Sequence, residues 1–184
     1  MLFSPMKQCS LSPHPAGHRP AGIAIEVAVR REPPAALEMH FRVTGDVTEL
    51  RFPPRARAER VDELWRHTCF EAFVRATGDD AYLELNFSPS TEWAAYHFNS
   101  WRAGMSPLEC AAPSIRFDVD GGSADLHVGL ELGWATRLRD ADWRLGMAAI
   151  LEDREGRTSH WALAHAPGQP DFHHADTFAC ELPR

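Results

Sequence analysis

Strict alternation of apolar and polar side chains recurs along this chain and limits what it can fold into. Ile23, Ile25, Val27 and Val29 alternate with Ala24, Glu26, Ala28 and Arg30, and Leu37, Met39, Phe41 and Val43 with Glu38, His40 and Arg42. The pattern returns at Leu83, Leu85 and Phe87 against Tyr82, Glu84 and Asn86. It returns again at Leu126, Val128, Leu130 and Leu132 against Asp125, His127 and Glu131. A period of two sends successive side chains to opposite faces of a strand, so each run reads as half-buried sheet, and no segment carries a long helical period. Turn residues separate the runs at Thr44-Gly45-Asp46, Gly78-Asp79-Asp80, Gly121-Gly122 and Asp153-Arg154-Glu155-Gly156. About ten strands, with no internal repeat and no shift of composition, predict one all-β domain: an antiparallel β-sandwich of jelly-roll-like type.

The domain is expected over residues 22–184. Residues 1–21, rich in Pro, Ser and His and without periodicity, predict a flexible N-terminal arm. Two longer connections stand out, one running from Trp101 to Pro113 and one reading APGQPDFHHADTF. Loops of this length commonly carry function.

A formal charge of -7 argues against a nucleic-acid or anionic-membrane surface, both of which need concentrated Lys and Arg. Cys9, Cys69, Cys110 and Cys180 show no metal-ligand spacing and predict free thiols. With no apolar run of signal-peptide or membrane-spanning length, a cytoplasmic protein is expected.

The stretch from Val61 to Met105 holds half of the chain's phenylalanine, tyrosine and tryptophan residues. Within it Glu71 shares a strand face with Cys69 and Phe73, so a carboxylate points where its neighbours suggest burial. A buried carboxylate needs a fixed partner or faces a ligand. Glu71 and Glu84 could meet across neighbouring strands, although their spacing does not require it. His165, His173 and His174 lie close to Asp171 and Asp176, but no strand or helix spacing organises them into a metal site. No nucleophile elbow and no phosphate-binding glycine loop is present. Flat aromatic faces stack on the C–H faces of sugars while carboxylates and amides bond the hydroxyls. Trp65, in a polar context, and Trp161, beside Ser159, are candidates for such a clamp, whereas Trp93 and Trp143 sit among core residues. Trp101 and the adjacent Arg102 could cover a pocket.

The segments LWRHTCFEAFV, AYLELNFSPSTEWAAY and LEDREGRTSHWALAHAPGQPDFHH together resemble the DOMON-like superfamily, which also contains the family 9 carbohydrate-binding modules. In that superfamily a Trp precedes an acidic residue on one strand, the next strand ends in an Asn- or Ser-Pro-type turn, and a late His or Trp lies near the closing strands. The resemblance spans roughly residues 22–182 and is strongest to an intracellular bacterial subgroup of unknown function. It implies a ligand-binding sandwich in which two tryptophans hold a saccharide and a Glu reads its hydroxyls. Carried over by motif, Trp65 and Glu71 match the first tryptophan and the acid, and Trp161 the second.

The resulting expectation is a non-catalytic module, without metal or cofactor, that binds a small carbohydrate or sugar-containing metabolite. Its pocket is expected to comprise Trp65, Glu71, Asn86, Trp101, Arg102, Trp161, His165 and His173. Haem-binding relatives imply an alternative in which Met105 and either His165 or His173 ligate iron. A second alternative is a small-substrate enzyme with Glu71 as base and one of those histidines as partner.

Overall fold

The alternating runs are strands, and they form two antiparallel layers. The computed structural model describes residues 5–133 and 135–184. In chain order the strands are β1 (Lys7–Pro13), β2 (Ala24–Glu32), β3 (Ala36–Thr44), β4 (Leu50–Arg51), β5 (Cys69–Ala76), β6 (Tyr82–Phe87) and β7 (Trp93–Phe98). There follow β8 (Ser106–Pro107), β9 (Ser114–Val119), β10 (Ser123–Glu131), β11 (Trp143–Asp153), β12 (Thr158–Ala162) and β13 (Cys180–Leu182), with one helical turn, α1 (Thr136–Arg139). The first layer runs β1-β2-β3-β10-β9 and the second β8-β7-β6-β5-β11-β12, with β4 and β13 also paired to β11.

β1 belongs to both layers. Lys7 to Leu11 pair with β2, and Ser12 and Pro13 pair with Ala162 and Trp161 of β12. The expected flexible arm over residues 1–21 is therefore corrected for this stretch, while residues 1–4 lie outside the described residues. The sequence KQCSLSP carries too few apolar residues to announce a strand. Leu11 nevertheless enters the core, and the backbone of β1 pairs with an edge of each layer.

The predicted inward faces meet between the layers. Ile25, Val27, Leu37, Met39, Phe41, Leu126 and Val128 from one pack with Phe70, Val74, Leu83, Leu85, Leu145 and Met147 from the other. The Phe41 and Phe70 rings cross this gap with centroids 5.2 Å apart. Near one end of the core Arg31 is buried, and its guanidinium serves as a hydrogen-bonding hub. Nη1 donates to the Ala141 carbonyl at 2.6 Å, and Nη2 to those of Arg139 at 2.8 Å and Leu138 at 3.1 Å. The same guanidinium lies 4.2 Å from the centroid of Trp143, whose indole N–H donates to Leu138. One cation thus satisfies carbonyls left at the end of α1, of which an apolar side chain would leave those of Arg139 and Ala141 without this donor.

The second layer is covered on both faces. Every residue of β6 is buried, as is every residue of β5 except Arg75. Their outer face meets a smaller core of Phe73, Tyr82, Phe98, Ile150, Phe172 and Phe178, the last two supplied by the segment after β12. That segment confines an open cleft to the remainder of the outer face. Replacing Arg31 with Met is expected to lower unfolding free energy by about 2–4 kcal/mol in urea titration, because charge-assisted bonds to buried carbonyls are lost together.

Candidate functional site

Pairing register places the polar residues of the central strands side by side. Glu71 of β5 lies opposite Asn86 of β6, and Phe73 opposite Glu84. Glu84 in turn faces Tyr96 of β7, while Glu71 faces Ala148 of β11. These residues share the outer face because Phe70, Ala72, Leu83 and Leu85 take the inner one. Above them lies a cleft of about 780 Å³. Glu71, Glu84 and His173 line it with Trp65, Tyr96 and Phe172, and Asp62, Glu63, Arg102, Met105 and His160 complete its boundary.

The Glu71 carboxyl is 3 % exposed, and no side-chain hydrogen bond or ion pair to it is present among the described residues. Burial and then the neighbouring Glu84 push its pKa well above the ordinary carboxylate range. Burial also raises Glu84, against a hydrogen bond from Asn86 Nδ2 at 2.8 Å. The Asn86 Oδ1 atom is buried without a partner. The amide oxygen thus stands unmatched, while the Glu71 carboxyl opens on the cleft with no protein partner among the described residues.

The far wall is organised by Asp171. Its Oδ1 accepts from Arg102 Nη2 at 2.8 Å, from Arg102 Nε at 3.1 Å and from the His173 backbone N–H at 3.1 Å, while Oδ2 accepts from Trp101 Nε1 at 3.1 Å. Burial works to raise this carboxyl, but the bonds from Arg102 and His173 outweigh it and hold the pKa below the usual range. The Arg102 backbone N–H donates to Tyr82 Oη at 3.2 Å, leaving the phenolic proton for His173 Nδ1 at 2.8 Å. The neutral imidazole then carries its proton on Nε2, which lies 3.6 Å from Glu84 Oε2. Burial, and then the Arg102 charge, lower the His173 pKa to about 4. Glu63 and Arg102, both at the cleft, have left-handed backbone at φ 63° and 52°. Strain of this kind in residues other than glycine concentrates at functional sites.

The structure brings Trp65, Glu71, Arg102 and His173 to one cleft, with Asn86 beside Glu71. Trp65 is 49 % exposed at the rim. Trp101, also exposed, lies outside the lining and acts through Asp171. Two expectations are corrected. Trp161 is 2 % exposed and points between the layers, its indole N–H donating to Ser159 Oγ at 2.9 Å. Ser159, which shares a strand face with Trp161, is the buried acceptor that lets the indole sit in the core. His165 lies away from the cleft, its Nε2 2.7 Å from the Ser12 carbonyl of β1 and its ring packed edge-on to His14. Residues not singled out beforehand are Tyr82, Tyr96, His160 and Phe172. Alternation already placed Tyr82 with Glu84 and Asn86, but Tyr96 and Phe172 join them only through tertiary packing.

No family model matches the chain, and no curated protein matches it by sequence. A solved structure from Bacteroides uniformis, a proposed carbohydrate-binding protein, matches 97 % of this chain and 86 % of its own with a TM-score of 0.65 and 12 % identity. The two chains share a fold. That likeness confirms the single antiparallel β-sandwich and does not distinguish the DOMON-like superfamily from other sandwiches.

Titration of the site groups has opposing effects on stability. Glu71 and Glu84 bind protons more tightly folded than unfolded, so their contribution is fully present below the ordinary carboxylate range and is lost as pH rises through their raised values. Glu71→Gln is therefore expected to raise the melting temperature relative to wild type at pH 8 more than at pH 4. His173 works the other way: between its unfolded value of 6.5 and about 4 the unfolded chain takes up a proton that the folded one refuses. Its contribution is present above pH 6.5 and falls on acidification by on the order of 3 kcal/mol. In His173→Gln this part of the acid-side loss should disappear, read as a flatter pH dependence of unfolding between those values.

Proposed function

We propose that this protein is a non-catalytic binding module whose outer-face cleft takes a saccharide or a sugar-containing small molecule. One observation carries the reading: an exposed indole, Trp65, and the Tyr96 and Phe172 rings border the same cleft as the unpartnered Glu71 carboxyl. Aromatic faces beside hydrogen-bonding groups suit a ring with an apolar C–H face and a polar edge. In this reading Trp65 stacks on a sugar, Glu71 and Asn86 bond its hydroxyls, and Arg102 stays committed to Asp171. The DOMON-like resemblance and the fold shared with the Bacteroides protein support the same class of ligand.

The haem alternative meets a poor donor set. Both nitrogens of His173 face protein groups, Tyr82 and Glu84, and His165 packs against β1. Met105 alone of the proposed axial donors lines the cleft without such an engagement.

Freshly purified protein is expected to retain or bind a saccharide in native mass spectrometry and to show no Soret band. Trp65→Ala and Glu71→Gln should each weaken sugar binding about 10-fold or more, corresponding to loss of a stacking surface or of a charge-assisted bond. Tryptophan-fluorescence titration across a panel of sugars measures this. Wild-type affinity of both variants for every bound sugar would remove the cleft as the site.

A further inference from the structure

We propose that the ligand is an amino sugar, its protonated amine seated against the Glu71 and Glu84 carboxylates that line the cleft. This rests on the saccharide reading of the cleft and names the class of sugar. A neutral sugar would leave two neighbouring buried carboxyls to share protons or repel each other, whereas an ammonium group carries three donors and a compensating charge.

The charges facing Glu71 leave that role open. Glu84 from β6 is a second acid, Tyr96 from β7 is bonded to Asp62, and Cys69 on the same strand is a buried thiol whose pKa burial raises. His160 from β12 is held below its usual pKa by burial and by His14 and His165, and His173 is neutral at physiological pH. The Arg102 guanidinium is held by Asp171. Arg102, which favours ionised Glu84, is thus shared with Asp171, and no protein cation is paired with Glu71 among the described residues. Asn86 supplies Glu71 with no donor, because its Nδ2 is used by Glu84 and its Oδ1 is an acceptor buried behind the lining. Asp62 and Glu63 extend the negative field to the mouth, and the Trp65, Tyr96 and Phe172 rings suit both the face of a sugar and the proximity of a cation. A metal ion is a poorer occupant, since no group of three or more His, Cys, Asp or Glu residues is disposed to hold one among the described residues.

Amine binding favours ionised carboxyls, so it is coupled to proton release. Affinity should rise with pH from the acid side until the amine itself loses its proton. The test compares three disaccharides of one β-1,4 backbone by calorimetry: the di-glucosamine, its di-N-acetylated form and cellobiose. The di-glucosamine is expected to bind about 10- to 100-fold more tightly than either neutral disaccharide, the range of a buried charge-assisted contact. It should also release protons, read from titrations in two buffers of different ionisation enthalpy. Glu71→Gln, checked for folding by its melting curve, should reduce di-glucosamine binding to the level of cellobiose. Equal binding of all three would overturn the amine assignment and leave the saccharide reading standing. Binding of only the neutral pair would do the same. Failure of all three to bind would overturn the assignment, and failure of the wider sugar panel would remove the saccharide reading as well.

Discussion

Burial of β5 and β6 on both faces is the constraint from which the site follows. A strand covered on one side can leave its polar residues in water, and the alternation then costs nothing. Here the outer residues Glu71, Glu84 and Asn86 are as enclosed as the inner ones. Each polar atom on that face needs a partner or remains a standing expense. Glu84 finds Asn86 and lies near His173, whereas among the described residues the Asn86 carbonyl has no donor and Glu71 turns its carboxyl to the cleft.

The surrounding wall is held by one carboxylate. Asp171 gathers Arg102, Trp101 and the His173 backbone, and Arg102 in turn fixes Tyr82 through its backbone N–H. The left-handed conformation of Arg102 costs on the order of 1–3 kcal/mol and persists because this set of bonds determines it. Consequently His173 is held by Tyr82 as a neutral ring in one tautomer, with Nε2 turned towards Glu84, on a wall with little freedom. Binding to a wall already fixed in this way loses less conformational entropy than binding to a mobile loop.

Much of this was legible in the sequence where physics is local. Period-two alternation gave the strands, their turns and the shared face of Tyr82, Glu84 and Asn86, and the oddity of Glu71 between Cys69 and Phe73 was visible as a charge among buried neighbours. β1 was hidden because KQCSLSP pairs through backbone groups, which composition does not reveal. Trp161 was misplaced because a serine two residues away gives its strand face a polar neighbour, whereas in the folded chain that serine is the acceptor for a buried indole. His165 and His173 are indistinguishable by residue type, and only the path of the intervening loop sends one to β1 and the other to Tyr82. Long-range packing therefore decided which aromatic and which histidine belong to the cleft.

The same features bear on how stability and recognition are divided in this molecule. Glutamine or leucine at position 71 would satisfy the outer face of β5 more cheaply than an unpartnered carboxyl, and the large core between the layers does not depend on Glu71. A residue that costs stability, contributes nothing to that core and lines an aromatic cleft is best understood through what it meets there. The burial that raises the Glu71 pKa also lowers the local dielectric, so a cation that displaces its proton gains more from the contact than it would at the surface. Desolvation thus makes the free protein less stable and, on the proposed reading, the occupied cleft more selective, and both consequences arise from enclosing one strand on two sides.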